Sequence, residues 1–271
     1  MTLSTQIAED INFTHVWQQL LWSVMQWGND VRPRGKLTRE VPQLTITVDT
    51  QRPVLDIPER KLSYKFMAAE AYWILSGDNR VETIAPYNKN IAQFSDDGKT
   101  FFGAYGPKIA AQLQHVVKKL AEDEDTRQAG LTTWRESPPP TKDVPCTIAI
   151  WFQIRNKQLN CHVFMRSSDI WLGVPYDVFN FSMLTHLVCG QLNAAKPQYS
   201  PGKLYLTAAS SHIYAEHFDA ARLCVCAPSS KPLQPRTPKI LWWNDTVLLN
   251  WLQDLRDTLP GHELRWWELG V

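Results

Sequence analysis

A cysteine and an arginine flank a predicted β-hairpin. Residues 148–154 are mostly apolar and residues 159–164 largely alternate, on either side of 155–157, which predicts two strands joined by a tight turn. Each strand advances ~3.3 Å per residue over about eight residues, so Cys146 and Arg166 return to the same end. A thiol beside a guanidinium predicts a nucleophile of low pKa next to an anion clamp. This pairing suggests covalent chemistry on a phosphorylated substrate.

Two carboxylates in apolar surroundings are further candidates. Glu70 lies within the apolar segment 65–75, where it faces either solvent or a cavity. A cavity would raise its pKa and suit it to proton transfer or water activation. Asp177 precedes an apolar helix, where the ordinary role of an aspartate is the N-cap.

Other polar residues give weaker signals. A lone cysteine is most often a small buried thiol, and only the nearby Arg166 makes the nucleophile interpretation of Cys146 competitive. Cys224 and Cys226 have no second ligand pair nearby, so we predict no metal site. The chain has neither a Walker loop nor a dinucleotide-binding glycine motif, which argues against a kinase or a Rossmann dehydrogenase.

Composition limits the class of protein. The 271 residues are 44% hydrophobic, which suits a single domain over residues 1–271. A net charge of +1 gives no broad field for DNA or an acidic membrane. No signal peptide and no apolar run of about 20 residues are visible, so we expect a cytoplasmic protein. The five cysteines predict reduced thiols, and most of the twelve tryptophans are expected in the core or a subunit interface.

Periodicity predicts mixed secondary structure. Helices are expected over 5–28, 64–76, 108–123, 178–193, 215–225 and 245–257, and further strands over 44–48, 203–208 and 239–242. Strands and helices do not alternate regularly, so the predicted fold class is α/β of the mixed, α+β kind.

The motifs, taken in order, resemble the thymidylate synthase superfamily. The resemblance is carried by Pro145-Cys146, Arg166-Ser167-Ser168-Asp169, Leu172-Gly173-Val174-Pro175, His212-Ile213-Tyr214, Glu70 with Trp73, Gly77-Asp78, Gly103-Ala104-Tyr105-Gly106 and Asp125-Thr126-Arg127. Each motif alone is weak, but the ordered set is specific and runs from about residue 32 to 218. It implies a large mixed sheet packed by helices, and a homodimer formed through that sheet.

Three details resemble the phage deoxycytidylate hydroxymethylases within this superfamily. Thr147 follows the cysteine where thymidylate synthases usually carry histidine, and Ser210-Ser211-His212 replaces a usual Gly-Gly-Asp-Thr-His. Asp177 stands where thymidylate synthases have the asparagine that reads uracil. The resemblance therefore implies dCMP as substrate and a modified nucleotide for phage DNA as the end use.

The chemistry of the two bases supports this interpretation of Asp177. Uracil presents an N3–H donor and an O4 acceptor, which a carboxamide meets with its oxygen and its NH₂. Cytosine presents a bare N3 and an N4 amino donor, which a protonated carboxyl meets. An ionised carboxylate would face uracil O4 oxygen to oxygen. Unpaired buried polar groups cost about 1–3 kcal/mol, so we expect a bias towards cytosine.

The resemblance also implies a reaction and residue roles. Cys146 adds to C6 of dCMP, C5 takes the one-carbon unit of the cosubstrate 5,10-methylenetetrahydrofolate, and water completes 5-hydroxymethyl-dCMP. For the chemical steps, the resemblance implies that Glu70 positions the water, Tyr105 transfers protons and Asp177 reads the base. For the nucleotide, it implies phosphate binding by Arg166, Ser167 and a partner's Arg127, sugar binding by His212 and Tyr214, and a base contact by Asp169. For the folate, it implies contacts with Phe94, Trp73, Gly173 and Asp169. Either Arg32 or Arg34 closes over the phosphate, and the sequence does not choose between them.

Several alternatives stay open. The same superfamily chemistry could give a dUMP hydroxymethylase, a dCMP methylase or a CMP hydroxymethylase. A non-catalytic nucleotide-binding protein with this fold would be expected to have lost Cys146, Arg166 or Glu70, and all three are present.

Overall fold

The computed structural model describes residues 13–194, 198–225 and 245–258. Its helices are α1 (Phe13–Trp27), α2 (Tyr64–Leu75), α3 (Val81–Ile84), α4 (Gly106–Glu122), α5 (Val174–Asn193), α6 (Phe218–Val225) and α7 (Asp245–Thr258). Short 3₁₀ turns cover Pro33–Gly35, Pro58–Arg60, Lys89–Phe94 and Ala215–His217. The predicted strand 239–242, the first residues of the helix predicted over 5–28, and Cys226 lie outside the described residues.

The strands form one mixed sheet in the described part of the chain. They are β1 (Asn29–Val31), β2 (Thr38–Asp49), β3 (Gly130–Thr132), β4 (Thr147–Arg155), β5 (Gln158–Met165), β6 (Ser168–Asp169) and β7 (Ser200–Tyr214). The order is β1-β2-β7-β5-β4-β3, with β6 paired to β7. β7 runs parallel to β5 and β6, and the other pairs are antiparallel. The predicted mixed fold class is confirmed.

The predicted hairpin is present as β4 and β5. Arg155 pairs with Gln158 across a turn in which Asn156 and Lys157 have φ of 53° and 62°. Positive φ at both central residues is typical of a two-residue hairpin turn whose twist matches the strands. The chain therefore returns in register.

Helix α5 covers the inner face of the sheet. Side chains on its whole circumference are buried, from Val174 to Asn193, as expected of a helix that is apolar all round. It packs on β5 and β7. The helix begins four residues before the predicted start at 178, because Pro175 suits the first turn and Gly173 is the N-cap.

The outer face of the sheet is uncovered in the described residues. One row of side chains crosses four strands, from Trp151 to His162, Tyr205 and Thr47. The rings of His162 and Tyr205 stack at 4.7 Å, and Phe164 beside them is 43% exposed. This face is thus largely uncharged and half-exposed.

The expected core position is confirmed for three tryptophans, and the subunit-interface alternative stays a prediction for the exposed ones. Trp17, Trp73 and Trp171 are buried, whereas Trp22 and Trp27 are exposed on α1. The four cysteines within the described ranges are free thiols. Among those same residues, no helix is both long and apolar enough to cross a membrane, and no cluster of His, Cys, Asp and Glu side chains is arranged to hold a metal ion.

Candidate active site

Main-chain hydrogen bonds hold the predicted nucleophile at the open end of the hairpin. The Arg166 N–H donates to the carbonyl of Cys146 at 2.8 Å, and the Thr147 N–H donates to the Tyr105 hydroxyl at 3.2 Å. The Ser167 hydroxyl donates to the Cys146 sulfur at 3.7 Å. The predicted proximity of Cys146 and Arg166 is confirmed.

The Arg166 side chain is fixed by the same loop. Its Nε donates to the carbonyl of Pro145 at 3.0 Å and its Nη2 to that of Val144 at 2.9 Å, while Nη1 donates to Ser167 Oγ at 3.2 Å. The residue is exposed. An exposed guanidinium in a fixed orientation suits an anion clamp beside the thiol.

The predicted low pKa of Cys146 is wrong for the free protein. Burial raises the pKa of the Cys146 thiol above its ordinary value, and the opposing influence of Arg166 and Ser167 is smaller. The guanidinium of Arg166 donates to the carbonyls of Pro145 and Val144 and to the Ser167 hydroxyl, and not to the Cys146 sulfur. The cysteine is therefore a neutral thiol near pH 7, and its addition to a ring carbon must be coupled to loss of its proton.

Glu70 is partly buried, and its carboxylate is turned towards α5. Its Oε2 accepts a hydrogen bond from Nδ2 of Asn180 at 2.8 Å, which joins α2 to α5. Burial raises the pKa of Glu70 to about 7, and the Asn180 bond opposes that rise. A carboxyl that titrates near neutrality can act as a base or as an acid.

Asp177 lies in the first turn of α5 rather than at its N-cap. The cap is Gly173, whose carbonyl accepts from the Asp177 N–H at 2.9 Å. Burial, and then the carboxylates of Glu70 and Asp169, raise the pKa of Asp177 well above its ordinary value. The raised pKa favours the protonated form of the Asp177 carboxyl. The N-cap interpretation is wrong, because Gly173 is the cap.

Asp169 and Gly173 shape the same wall. Asp169 Oδ1 accepts from the main-chain N–H groups of Trp171 and Leu172 at 2.8 and 2.9 Å. Its buried Oδ2 has no hydrogen-bond partner within the described residues. A Cβ on Gly173 would lie 3.2 Å from Asp177 Oδ2, so the glycine leaves room for that carboxyl.

Tyr105 lies between the thiol and the carboxyls. Its ring stacks on Phe181 at 6.2 Å. Burial, followed by the charges of Asp177 and Cys146, raises the pKa of its hydroxyl. The phenol stays protonated, so Tyr105 can donate a proton or a hydrogen bond to these groups.

His212 and Tyr214 continue the site along β7. Their rings meet edge to face at 5.5 Å, and His212 pairs with Asp169 across the β6–β7 ladder. The Tyr214 hydroxyl accepts from Nη2 of Arg34 at 3.5 Å. Arg32 and Arg34 are both exposed, and the charge of Arg32 acts on Asp30. The phosphate contact predicted for one of these two arginines stays a prediction.

Three predicted residues are not gathered with the others. Arg127 lies before β3, where its carbonyl accepts from the Trp151 indole at 3.1 Å, and Phe94 is 47% exposed at the end of its 3₁₀ turn. Trp73 is buried edge to face with Phe101 at 5.7 Å. Their predicted phosphate and folate contacts stay predictions.

Asn180 is the site residue that the sequence reasoning missed. It stands in the apolar run of α5, three residues after Asp177, and so shares a helix face with it. A single amide in an otherwise apolar segment was the available signal, because buried amides are almost always hydrogen-bonded.

Comparison with known families now decides the relationship. The family model described as thymidylate synthase matches residues 15–237. The chain belongs to the thymidylate synthase family. Its predicted resemblance and fold are confirmed, and one-carbon transfer to a pyrimidine nucleotide with methylenetetrahydrofolate as cosubstrate is the chemistry of this family.

Two curated relatives illustrate its range. A deoxyuridylate hydroxymethyltransferase of Bacillus phage SP01 is 29% identical over 228 residues, which cover 76% of this chain and 58% of the phage protein. A thymidylate synthase of Buchnera aphidicola subsp. Schizaphis graminum (strain Sg) is 24% identical over 219 residues, covering 75% of this chain and 80% of that enzyme. This chain thus matches little more than half the length of the phage relative.

Proposed function

We propose that this protein is a folate-dependent deoxycytidylate 5-hydroxymethyltransferase. Cys146 adds to C6 of the pyrimidine, which makes C5 nucleophilic, and methylenetetrahydrofolate supplies the one-carbon unit to C5. Water then completes the hydroxymethyl group. The observation that carries the proposal is the place of the Asp177 carboxyl in the first turn of α5, where burial and the carboxylates of Glu70 and Asp169 raise its pKa. The resemblance implies that thymidylate synthases have asparagine at this position.

The protonation of Asp177 changes the argument for base recognition. A neutral carboxyl offers one donor and one acceptor, so it pairs with either base by placing its proton on the appropriate oxygen. The oxygen-to-oxygen repulsion expected with uracil applies only to an ionised Asp177. Repulsion therefore does not select the base in this site.

Hydrogen-bond strength favours cytosine instead. N3 of cytosine is a stronger hydrogen-bond acceptor than O4 of uracil, because its lone pair is more basic. A neutral carboxyl therefore donates a stronger hydrogen bond to cytosine N3, while its other oxygen accepts from N4–H. With uracil the same carboxyl donates to the weaker acceptor O4 and accepts from N3–H.

Deoxyuridylate is the second candidate substrate. The name of the phage SP01 relative favours it, and a neutral Asp177 can donate to O4 and accept from N3–H. The two candidates share every other step.

Glu70 supports the water step. Its pKa of about 7 leaves much of it as a carboxylate at neutral pH, able to accept a proton from water. The hydroxymethyltransferase name of the phage relative also supports water, rather than hydride, as the second reactant.

Two buried polar atoms match the hydrogen-bonding groups of a pterin, one within the gathered site at Asp169 and one outside it at Trp73. The indole Nε1 of Trp73 and Oδ2 of Asp169 are buried without partners in the described part of the chain, one a donor and the other an acceptor. A pterin edge carries both hydrogen-bond donors and acceptors. We therefore assign Trp73 and Asp169, with the exposed ring of Phe94, to the folate side of the site.

A homodimer through the sheet would complete the site. Gly130 pairs with Trp151 in the antiparallel β3–β4 ladder, so Arg127 lies further from Cys146 than Trp151 does. Trp151 is itself roughly 16 Å along the strand from Cys146. Arg127 therefore points to the phosphate of a second copy, and the half-exposed, uncharged outer face of the sheet is the surface that a second copy would cover.

Isotopic water tests the proposal. With dCMP and methylenetetrahydrofolate in H₂¹⁸O, we expect a product heavier by one CH₂O unit that carries the label, and no oxidation of tetrahydrofolate to dihydrofolate. A product heavier by CH₂, with dihydrofolate formed, would instead show a methylase. Product from dUMP alone would replace the proposal by the second candidate.

A further inference from the structure

The two ends of the Asn180 side-chain amide differ in their hydrogen bonding. The residue is 4% exposed, and its Nδ2 donates to Glu70 Oε2 at 2.8 Å. Its Oδ1 is buried and has no hydrogen-bond partner among the described residues. Because the carboxylate can only accept, the amide must keep its NH₂ towards Glu70 and its oxygen away from it.

A buried acceptor without a partner is costly. Leaving such a group unpaired costs about 1–3 kcal/mol, and buried polar atoms in native proteins are nearly always paired with protein or ordered water. Asn180 Oδ1 therefore needs a donor. A water with several polar neighbours is the ordinary occupant of such a position.

We propose that Asn180 and Glu70 together hold the water that adds to the one-carbon unit on the substrate. This inference rests on the proposed hydroxymethyl transfer. The water donates one hydrogen to Asn180 Oδ1 and the other to the Glu70 carboxylate. Both hydrogens are then engaged, and an oxygen lone pair is left for the methylene carbon.

The step balances in electrons and protons. The bond between water oxygen and the exocyclic methylene carbon forms, and the electrons of the C5=CH₂ double bond move to form C5=C6. The C6–sulfur bond breaks and returns the thiolate of Cys146. The proton of the water passes to Glu70.

The neighbouring groups are less suited to hold this water. Asp177 is protonated and paired with the base, so it would donate to the lone pair that must attack. Tyr105 is likewise a protonated donor, whose oxygen already accepts from the Thr147 N–H. An attacking water needs two acceptors, and Asn180 with Glu70 provides them.

Asn180 also keeps Glu70 competent as a base. Its hydrogen bond stabilises the carboxylate and lowers the pKa of Glu70 against the effect of burial. The other ionisable groups that sense the charge of Glu70 are Tyr176 and Asp177. Asn180 is thus a positioning residue that orients both the base and the water.

Two readouts on Asn180→Leu separate this role from a structural one. Tritium release from C5 reports the steps before water enters, and formation of hydroxymethyl nucleotide reports the water step. We expect tritium release within about threefold of wild type, and product formation lower by about 10-fold or more, because one hydrogen bond to the water and one to its base are lost. Added 2-mercaptoethanol should trap the intermediate as a thioether in the variant and much less in the wild type.

The pH profile gives an independent readout. Loss of the donor to the carboxylate should move the acid limb of product formation to higher pH by roughly half to one unit. Thr185→Val is the matched control, because this buried hydroxyl of α5 bonds the Phe181 carbonyl of its own helix, at 2.7 Å, and the Cys161 thiol, neither of which belongs to the proposed site. It should leave the product ratio and the profile unchanged.

The outcomes distinguish the inference from the proposed function. Equal loss of tritium release and product, with an unmoved pH profile, in both Asn180→Leu and the smaller Asn180→Ala would overturn the role of Asn180. Wild-type protein that releases tritium but makes only methylated nucleotide would overturn the proposed function instead. If Asn180→Leu does not fold, Asn180→Ala alone decides by the same two readouts.

Discussion

The two sides of the active site are built in different ways. On the thiol side, main-chain carbonyls and N–H groups hold Cys146 and Arg166, and each nitrogen of the guanidinium donates one hydrogen bond to the protein, which leaves two of its five N–H donors for an anion. On the carboxyl side, Glu70, Asp177 and Asn180 lie between α2 and α5, and Asn180 Oδ1 lacks a partner within the described residues. The hydrogen bonds that orient the thiol side all lie within the protein. On the carboxyl side, one buried acceptor is left for a substrate or a water to pair. The difference suggests that the first side supplies the chemistry of the family and the second selects base and product.

Replacement of the nucleophile should have the largest effect. We expect Cys146→Ser to lower tritium release from C5 by at least about a thousandfold, because a serine hydroxyl is a far weaker nucleophile. Binding of dCMP should change little, since Arg166 remains fixed to Pro145 and Val144. The control is Cys224→Ala, a buried cysteine of α6. Unchanged release in Cys146→Ser would remove this thiol from the mechanism.

Neutralisation of Glu70 should lower activity and raise stability. Glu70→Gln removes the base for water, and we expect product formation to fall by about 100-fold. The pKa of Glu70 is raised from 4.5 to about 7, so the folded protein loses stability as pH rises between these values and the buried carboxyl ionises.

The stability change has a defined sign and window. At pH 8, we expect the free energy of unfolding of Glu70→Gln to exceed that of wild type by on the order of 2 kcal/mol, and the difference to vanish below pH 4.5. Denaturant titrations at the two pH values measure it. The exposed Glu122→Gln should show neither effect, and a variant less stable at pH 8 would contradict the burial of Glu70.

Substitution of the base reader should change selectivity rather than rate. Asp177→Asn offers cytosine N3 only an amide N–H, a weaker donor than the carboxyl O–H, so we expect the ratio of kcat/KM for dUMP to that for dCMP to rise by roughly 5- to 150-fold. The exposed Asp219→Asn on α6 should leave the ratio as it is. An unmoved ratio in Asp177→Asn would mean that another group reads the base.

The smallest expected signal is the rescue of two inactive variants by mixing. Arg127→Ala lacks the proposed phosphate contact across subunits, and Cys146→Ser lacks the nucleophile. If Arg127 acts in the partner's site, mixed dimers contain one intact site, and about a quarter of wild-type activity should return after joint refolding. No recovery, with dimers confirmed by sedimentation, would place the function of Arg127 within its own subunit.

The thiol side was accessible from sequence because local patterns determine it. The alternation of 148–154 and 159–164 around a turn predicts the hairpin, and the hairpin alone brings Cys146 to Arg166. Two strands of known rise leave little freedom in where their ends meet. The low pKa predicted for Cys146 is wrong because burial raises it, and burial depends on tertiary packing, which no local pattern reports.

The carboxyl side was only partly accessible. Glu70 and Asp177 are visible as acids in apolar segments, but whether they face solvent or each other depends on how α2 packs on α5. The raised pKa of Asp177 follows first from burial and then from the carboxylates of Glu70 and Asp169. Burial and these contacts depend on tertiary packing, which no local pattern reports. Asn180 gave a signal, but its contact with Glu70 spans 110 positions.

Competition between two substrates tests the central claim most directly. Equimolar dCMP and dUMP are incubated with the wild-type protein and methylenetetrahydrofolate, and the products are weighed by mass spectrometry. The claim that Asp177 selects cytosine and that water completes the reaction predicts 5-hydroxymethyl-dCMP as the main product. Mostly hydroxymethylated dUMP would contradict the base assignment, and a methylated nucleotide would contradict the water step.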